Sequence, residues 1–412
     1  MALRLTIEGL VYGGSGIGRA PNGKVVFVPY TVPGEVCTVE VTEDKRDFSK
    51  ARLLSIDEPS PVRVEPFCPL FTECGGCHLQ HLPYEAQLEW KTKIFQETIA
   101  RATDLELVPQ AIPAENATGY RAKATFHVED GKVGFFRASS HSVVELEECP
   151  LLMPSINKTL KEIKESLPEA VHTIDVAVDV DTDKTTAIFY TEDAGCKLDI
   201  PHSTVLKGYE VRVKRRFQRG RGRLLYRRGE TDCSYTVEGV RLLYSASVFF
   251  QVNPAMNRRL VQKVVEAVGK DVTVVDAFCG VGNFSLPVAK KGCRVEGFDI
   301  DGVAIEYAKR AAGLNSIEVA VFFPLDVERG KVLEKIAPSV VVLDPPRGGC
   351  RGLATEVAER AVERVVYVSC NPSTLGRDLK EFLERGYRVV SSTLVDMFPQ
   401  THHVESITVL TL

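Results

Sequence analysis

The apolar positions of this chain change their spacing along its length, and the changes divide it into three stretches. Residues 1–56 read as short strands joined by turns. Leu3 to Leu10 alternates toward a strand, and Val25-Val26-Phe27-Val28, Glu35 to Val41 and Ala51 to Ile56 are further strands. Between the first two lie Gly13-Gly14-Ser15-Gly16-Ile17-Gly18 and then Pro21-Asn22-Gly23-Lys24, which reads as a hairpin turn. Four or five short strands in so short a stretch predict a small barrel of the OB type. The glycine run does not read as a nucleotide loop, because a hairpin rather than a helix follows it. Asp57-Glu58-Pro59-Ser60-Pro61 reads as a linker.

His81 to Ala102 predicts a helix: Pro83 suits its first turn, and Leu88, Phe95, Ile99 and Ala102 share one face. Residues 119–235 alternate strands and turns around one helix near 154–167. From about residue 240 the pattern changes. A helix, Pro254 to Val268, precedes apolar strands at 272–275, 294–298, 319–323, 340–343 and 365–368, separated by helical periodicity. Continuous apolar strands alternating with helices predict a parallel sheet covered on both faces, an α/β Rossmann-like domain. Tyr387 to Val395 and Ser406 to Leu412 predict a terminal hairpin.

Composition narrows the class. The chain has 412 residues, 44% hydrophobic and 26% charged, as a globular protein of two or three domains would. Disorder of the whole chain and a small disulfide-stapled scaffold are excluded. No apolar run approaches the ~18 residues of a membrane span, and the N-terminus lacks the apolar region of a signal peptide. The expectation is a cytoplasmic monomer with no membrane partner. Eleven cysteines, an odd number, then read as core residues, metal ligands or nucleophiles. The net charge is -4, yet ten Lys or Arg and a single acid, Glu210, fall between Lys207 and Arg228. Such a stretch can neutralise phosphates; the alternative is a solvated basic loop.

Candidate chemistry gathers at strand ends of the last stretch. Asp276-Ala277-Phe278-Cys279-Gly280-Val281-Gly282-Asn283-Phe284-Ser285 lies between the first strand and the next helix. Gly280 and Gly282 let the backbone approach a ligand, and Asp299, at the end of the second strand, can hold the two hydroxyls of a ribose. No third glycine and no phosphate-binding lysine accompany them, so a ligand with ribose but no pyrophosphate, S-adenosylmethionine, fits best. Asp344-Pro345-Pro346-Arg347 and Ser369-Cys370-Asn371-Pro372 end two further strands at the same crevice. Asp-Pro-Pro also suits methylation of exocyclic nitrogens. Cys370 points to another acceptor. C5 of uracil is a poor nucleophile until a thiolate adds to C6, and a base must then take the C5 proton, so the chemistry needs a cysteine and a carboxylate. Cys279, inside the loop, reads as structural. Cys68, Cys74 and Cys77, spaced C-x5-C-x2-C, with distant Cys149 before a proline, suit an iron–sulfur cluster, zinc or neither.

Taken together, these pieces resemble a known family. With Phe250-Gln251-Val252-Asn253 and Met397-Phe398-Pro399-Gln400-Thr401-His402-His403-Val404-Glu405-Ser406, they cover nearly the whole chain. The chain resembles RNA 5-methyluridine methyltransferases that carry an N-terminal TRAM domain and an iron–sulfur cluster, the 23S ribosomal RNA uracil-C5 branch. The resemblance implies three units: a TRAM, OB-like RNA-binding barrel at 1–57; a central α+β iron–sulfur and RNA-binding domain at 58–80 and 112–240; and an S-adenosylmethionine-dependent methyltransferase domain at 81–111 and 241–412. It implies Cys370 as nucleophile and Glu405 as base. It implies Gln251, Phe278, Asn283, Asp299, Asp326 and Asp344 in the S-adenosylmethionine pocket, and a [4Fe-4S] cluster on Cys68, Cys74, Cys77 and Cys149, with His78 and His81 as non-ligands. Asp299 is shorter than the Glu that many relatives carry at the ribose position. The implied reaction is C5 methylation of a uridine in 23S rRNA. The alternatives are a tRNA uridine, an N-methyltransferase using Asp344-Pro345-Pro346, and a non-catalytic RNA-binding module; intact Cys370 and Glu405 argue against the last two.

Overall fold

The computed structural model describes residues 2–200, 203–329, 332–334 and 336–412. Strands β1 (Ala2–Leu10), β2 (Ser15–Arg19), β3 (Val25–Pro29), β4 (Val36–Asp44) and β5 (Phe48–Glu58) close a barrel in the order β1-β2-β3-β5-β4. Leu5, Ile7, Val26, Val28, Cys37 and Val39 fill it. The glycine run turns at Gly13-Gly14 and then enters strand β2. A Cβ on Gly16 would lie 2.1 Å from Thr31 Oγ1, and one on Gly18 would lie 2.6 Å from the Thr6 carbonyl, so only glycine lets this strand close the barrel. The expected linker is not loose: β5 runs into it, Ser60 is buried, and the chain leaves the barrel past a buried Glu35 held by Arg63 at 2.5 Å.

Helix α1 (Tyr84–Thr103) begins three residues later than expected. Pro83 takes the extended N-cap position, and His81 is buried in the preceding turn with Nε2 3.2 Å from the Thr31 carbonyl. β6 (Gln110–Ile112) follows. Next come β7 (Lys123–Glu129), β8 (Lys132–Phe136), β9 (Val143–Glu145), α2 (Pro154–Lys164), β10 (Val171–Asp179), β11 (Lys184–Thr191), β12 (Leu206–Val213) and β13 (Arg223–Gly229). These strands form one sheet, β13-β12-β11-β10-β7-β8-β9. Ile156, Leu160 and Ile163 of α2 cover it. β14 (Asp232–Val237) and β15 (Val240–Ser245) make a hairpin.

The rest alternates: α3 (Pro254–Val268), β16 (Thr273–Ala277), α4 (Ser285–Lys290), β17 (Arg294–Asp299), α5 (Gly302–Leu314), β18 (Ala320–Pro324), β19 (Val340–Leu343), α6 (Arg351–Glu359), β20 (Arg364–Ser369), α7 (Pro372–Leu383), β21 (Arg388–Val395) and β22 (Glu405–Thr411). The eight-stranded sheet runs β18-β17-β16-β19-β20-β22-β21-β6. Its first five strands are parallel, and the order reverses between β16 and β19, which opens a crevice at their carboxyl ends. β22 inserts antiparallel between β20 and β21. α1 lies on this domain: Phe95 and Ile99 share its core with Val341 and Leu379, and Ala102 packs so close to Gly376 that a Cβ there would lie 2.6 Å away. No helix among the described residues is long and apolar enough to cross a membrane.

Candidate active site

The loop after β16 is bent sharply and pinned. Phe278, Gly280 and Gly282 all have positive φ (73°, 53° and 85°). The amides of Phe278 and Cys279 both donate to the Phe298 carbonyl, at 2.8 and 2.9 Å. Gly280 donates to Asp299 at 2.9 Å, and the amide of Asp301 donates to the other Asp299 oxygen at 2.7 Å, so the acid is fixed at the end of β17. Cys279 is buried beneath the loop. A Cβ on Gly280 would meet nothing within 4 Å, which leaves room above the loop for a ligand.

Acids crowd this crevice. Asp276 is 1% exposed; Ser285 donates to one of its oxygens and Oδ1 has no partner. Burial, with Asp299 nearby, pushes its pKa up to about 7. Asp344 is raised by burial and by Asp276 and Asp299. Buried carboxyls that resist ionisation favour a cationic ligand beside them. Gln251 and Asn253 are buried at the start of α3. Asn283 exchanges two hydrogen bonds with Asn257, at 2.8 and 3.0 Å, so its amide ties the loop to α3. Asp326 follows β18 and is half-buried, with Arg329 3.5 Å away.

Cys370 and Glu405 are brought together by strand register. β20 and β22 pair antiparallel with Ser369 opposite Ser406, so the next step sets Cys370 opposite Glu405 at the strand ends. Glu405 is 3% exposed; burial and Asp344 raise its pKa well above the usual range, against the pull of Arg347. The Cys370 thiol is pushed up to about 12 by burial, Glu405 and Asp344, while Arg347 lowers it. Asn371 caps α7 by accepting from Ser373 at 3.1 Å and donates to the Arg347 carbonyl at 3.0 Å, so the turns after β19 and β20 are tied together. Tyr12, on the barrel, reaches this edge. Its hydroxyl donates to the Cys370 carbonyl at 3.5 Å, and its ring meets His402 edge-on at 5.7 Å. No pattern in the sequence marks Tyr12; only the docking of the barrel brings it here.

The loop before β22 is braced from two sides. Lys91 of α1 pairs with Asp396 at 2.7 Å, both buried, and also donates to the Phe398 carbonyl at 2.9 Å. The amides of His78 and Leu79 donate to the Gln400 carbonyl at 2.9 and 3.1 Å. His78, His402 and His403 pack ring against ring, and Arg347 approaches both nitrogens of His403 at 3.3–3.4 Å.

Cys68, Cys74, Cys77 and Cys149 line one cavity, whose other walls include Leu70, Phe71, Phe135 and Leu152. Among the described residues, no three His, Cys, Asp or Glu side chains are gathered as tightly as a metal site requires. All four thiols are free. Burial pushes Cys77 up to about 12, with Cys149, Cys74 and Cys68 adding to the shift, and burial likewise raises Cys74 and Cys149. His81 is lowered to about 4 by burial.

The basic stretch divides. Arg212 and Arg227 neutralise buried Glu210, Lys207 pairs with Asp179, and Arg221 pairs with Asp301 at the start of α5. Arg221 therefore links the central sheet to the methyltransferase-like sheet instead of standing free. Arg215, Arg219, Arg223 and Arg228 are exposed and enter no ion pair among the described residues.

The comparisons with known proteins agree with this geometry. The family described as tRNA (Uracil-5-)-methyltransferase matches residues 83–412, and the TRAM domain matches residues 2–54. The chain is 32% identical to the 23S rRNA (uracil(1939)-C(5))-methyltransferase RlmD of Vibrio parahaemolyticus, over 97% of this chain and 94% of that protein. It is 34% identical to an uncharacterized RNA methyltransferase of Aquifex aeolicus, over 99% of this chain and 98% of that protein. Among solved structures, the Pyrococcus abyssi tRNA (uracil-54, C5)-methyltransferase in complex with S-adenosyl-L-homocysteine superposes with a TM-score of 0.82 at 26% identity, covering 99% and 100% of the two chains.

Proposed function

The chain belongs to the S-adenosylmethionine-dependent RNA uracil-C5 methyltransferases and carries their TRAM domain, and from this premise we propose that it methylates C5 of a uridine in 23S rRNA. The observation that carries the mechanism is the facing of Cys370 and Glu405 across β20 and β22, beside Asp344. S-adenosylmethionine supplies an electrophilic methyl group. Asp299 would hold its ribose; the unpartnered Asp276 Oδ1 and raised Asp344 suit its positive charges; Gln251, Phe278, Gly280, Gly282, Asn283 and Asp326 would complete its pocket.

Cys370 adds to C6 of the uracil as a thiolate, which turns C5 into an enolate-like nucleophile. Arg347 favours that thiolate, and the cap of α7 fixes the residue that follows it. After methylation Glu405 takes the C5 proton, and the C5–H electron pair reforms the ring double bond as the Cys370 thiolate leaves C6. Burial and Asp344 raise this acid, and a positive ligand beside it would favour the ionised form that a base needs.

We also propose a [4Fe-4S] cluster on Cys68, Cys74, Cys77 and Cys149. Four thiols on one largely apolar cavity, with Cys74, Cys77 and Cys149 raised by burial, suit a cationic cluster. Such a cluster would stiffen the 68–79 segment, whose His78 and Leu79 amides brace Gln400 and so the loop leading to Glu405. The reading is tested with 23S rRNA and tRNA transcripts containing 5-fluorouridine: a denaturant-resistant adduct with the first and not the second supports it. A tRNA adduct alone would favour the second reading, to which the tRNA-modifying structural relative lends weight.

A further inference from the structure

Outside the crevice, one unassigned concavity lies between the central sheet and the cysteine segment. Arg121, Lys123, Arg137, Phe136, Gly75 and Val252 line this cavity of about 470 Å³, within the usual range for small-ligand sites. No carboxylate lines it. The Lys123 ammonium donates only to the Val248 carbonyl, at 2.6 Å, and enters no ion pair among the described residues. Arg121 donates from Nε to the Lys123 carbonyl and also borders the cysteine cavity. Arg137 alone is partly neutralised, by exposed Glu73 at 3.1 Å.

One wall is an aromatic platform. Phe136 stacks on His127 with centroids 3.6 Å apart and planes 9° from parallel. His141 meets Phe136 edge-on at 5.3 Å, and Phe217, 65% exposed, lies 5.0 Å from His141. The exposed Arg215 and Arg219 flank Phe217 in the chain. The opposite wall ends at Val252, between Gln251 and Asn253 of the crevice. The pocket thus runs from an exposed aromatic and basic rim toward the catalytic edge. Unpaired cations beside π-faces are what a nucleic-acid strand recognises: phosphate on the cations, base on the ring.

We propose that this pocket holds a nucleotide of the substrate RNA beside the one that is methylated, its phosphodiester on Lys123 and Arg121 and its base on Phe136. The proposal rests on the substrate being RNA. It does not depend on whether that RNA is ribosomal or transfer, so the test uses whichever transcript the wild-type enzyme methylates. Phe136→Leu and Arg137→Gln keep the fold's apolar and polar balance; Lys123→Met removes the inner cation. Melting temperature and S-adenosylmethionine affinity report that each variant is folded. RNA affinity should fall about tenfold in Phe136→Leu. In Lys123→Met, or in Arg137→Gln if the former does not fold, the slope of log affinity against log salt should drop by about one. A transcript with 4-thiouridine next to the target should crosslink to the peptide containing Phe136. Folded variants with wild-type affinity and slope overturn the proposal. So does uridine monophosphate binding the wild-type protein as tightly as the transcript, which would make this a free-nucleotide site. Absence of methylation on both transcripts overturns the assigned reaction instead.

Discussion

At the carboxyl edge of the eight-stranded sheet, one thiol stands among ionisable groups of both signs: Glu405 and Asp344 raise Cys370, and Arg347 lowers it. In the cavity between residues 68 and 149, the thiols neighbour one another and apolar side chains, with Gln80 lowering Cys77 and Arg121 lowering Cys74. Burial raises the thiols in both places, but the remedies differ. In the proposed mechanism Cys370 would need only a transient anion, which adjacent groups could tune as substrate arrives. For the four cavity cysteines, the proposed cluster would instead supply a permanent cation. The crevice is also built on strand ends fixed by sheet register, whereas the cavity is built on loops that hydrogen-bond to the segment before β22.

The comparison breaks first at the crevice. Cys370→Ser should lower turnover by about 10⁴-fold or more and abolish adduct formation, because a hydroxyl is a far poorer nucleophile at neutral pH. Glu405→Gln should lose turnover to a similar extent but by stalling later. It should accumulate, on ordinary RNA, a denaturant-resistant covalent complex carrying one methyl group. Normal turnover of Glu405→Gln would remove it as the base, and absence of adduct would move its action to an earlier step.

The braces come next. Lys91→Met leaves Asp396 buried with the Tyr84 hydroxyl at 2.9 Å but without its cation, a change that costs about 3–5 kcal/mol of stability. Urea unfolding measures it, and a loss below 1 kcal/mol would mean that the segment before β22 relaxes freely. On the cavity side, anaerobically purified protein should be brown with about four irons per chain. Cys149→Ser should lose most of that iron and lower turnover about ten- to a hundredfold, with S-adenosylmethionine affinity unchanged. Stoichiometric zinc, or full activity without iron, would contradict the assignment.

Carboxyls sharpen the contrast further. Asp276 binds its proton more tightly folded than unfolded, so the cofactor-free protein loses stability as pH rises from about 4 to about 7. A cationic ligand favours the ionised form. S-adenosylmethionine should therefore raise the melting temperature more at pH 7.5 than at pH 5.5, a difference on the order of 1–3 kcal/mol that Asp276→Asn should flatten. Equal stabilisation at both pH values would place the sulfonium away from this acid.

The two regions also differ in what could be read from sequence. The strands of the parallel sheet were legible because burial on both faces leaves continuous apolar runs; 340–343 matches β19 residue for residue. Asp344, Cys370 and the 276–285 loop followed from their places at strand ends. The terminal hairpin was legible as two strands, but nothing local says that β22 inserts between β20 and β21, and only that insertion sets Glu405 opposite Cys370. β6 is a three-residue edge strand, too short to show a period. The glycine-rich β2 hid its strand because its residues are chosen for the absence of side chains. In the basic stretch charge was legible but partners were not: Arg221 meets Asp301, eighty residues away.

Tyr12 is the smallest test of where the catalytic region ends. By sequence it belongs to the barrel, a unit whose family role suggests RNA capture; by position it belongs to the crevice. Its hydroxyl meets the Cys370 carbonyl at 3.5 Å, a long bond, so its loss in Tyr12→Phe removes a contact worth about 0.5–1.5 kcal/mol. That predicts a two- to tenfold fall in kcat and in the rate of adduct formation with 5-fluorouridine RNA, while KM for RNA stays put. Tyr12→Ala also removes the ring that rests on His402 and should fall further. A barrel that served only to capture RNA would give the opposite split, with KM rising and the chemical step untouched. The kcat-to-KM split in Tyr12→Phe thus separates a barrel that delivers substrate from one that completes the site, and an unchanged kcat would return Tyr12 to the barrel.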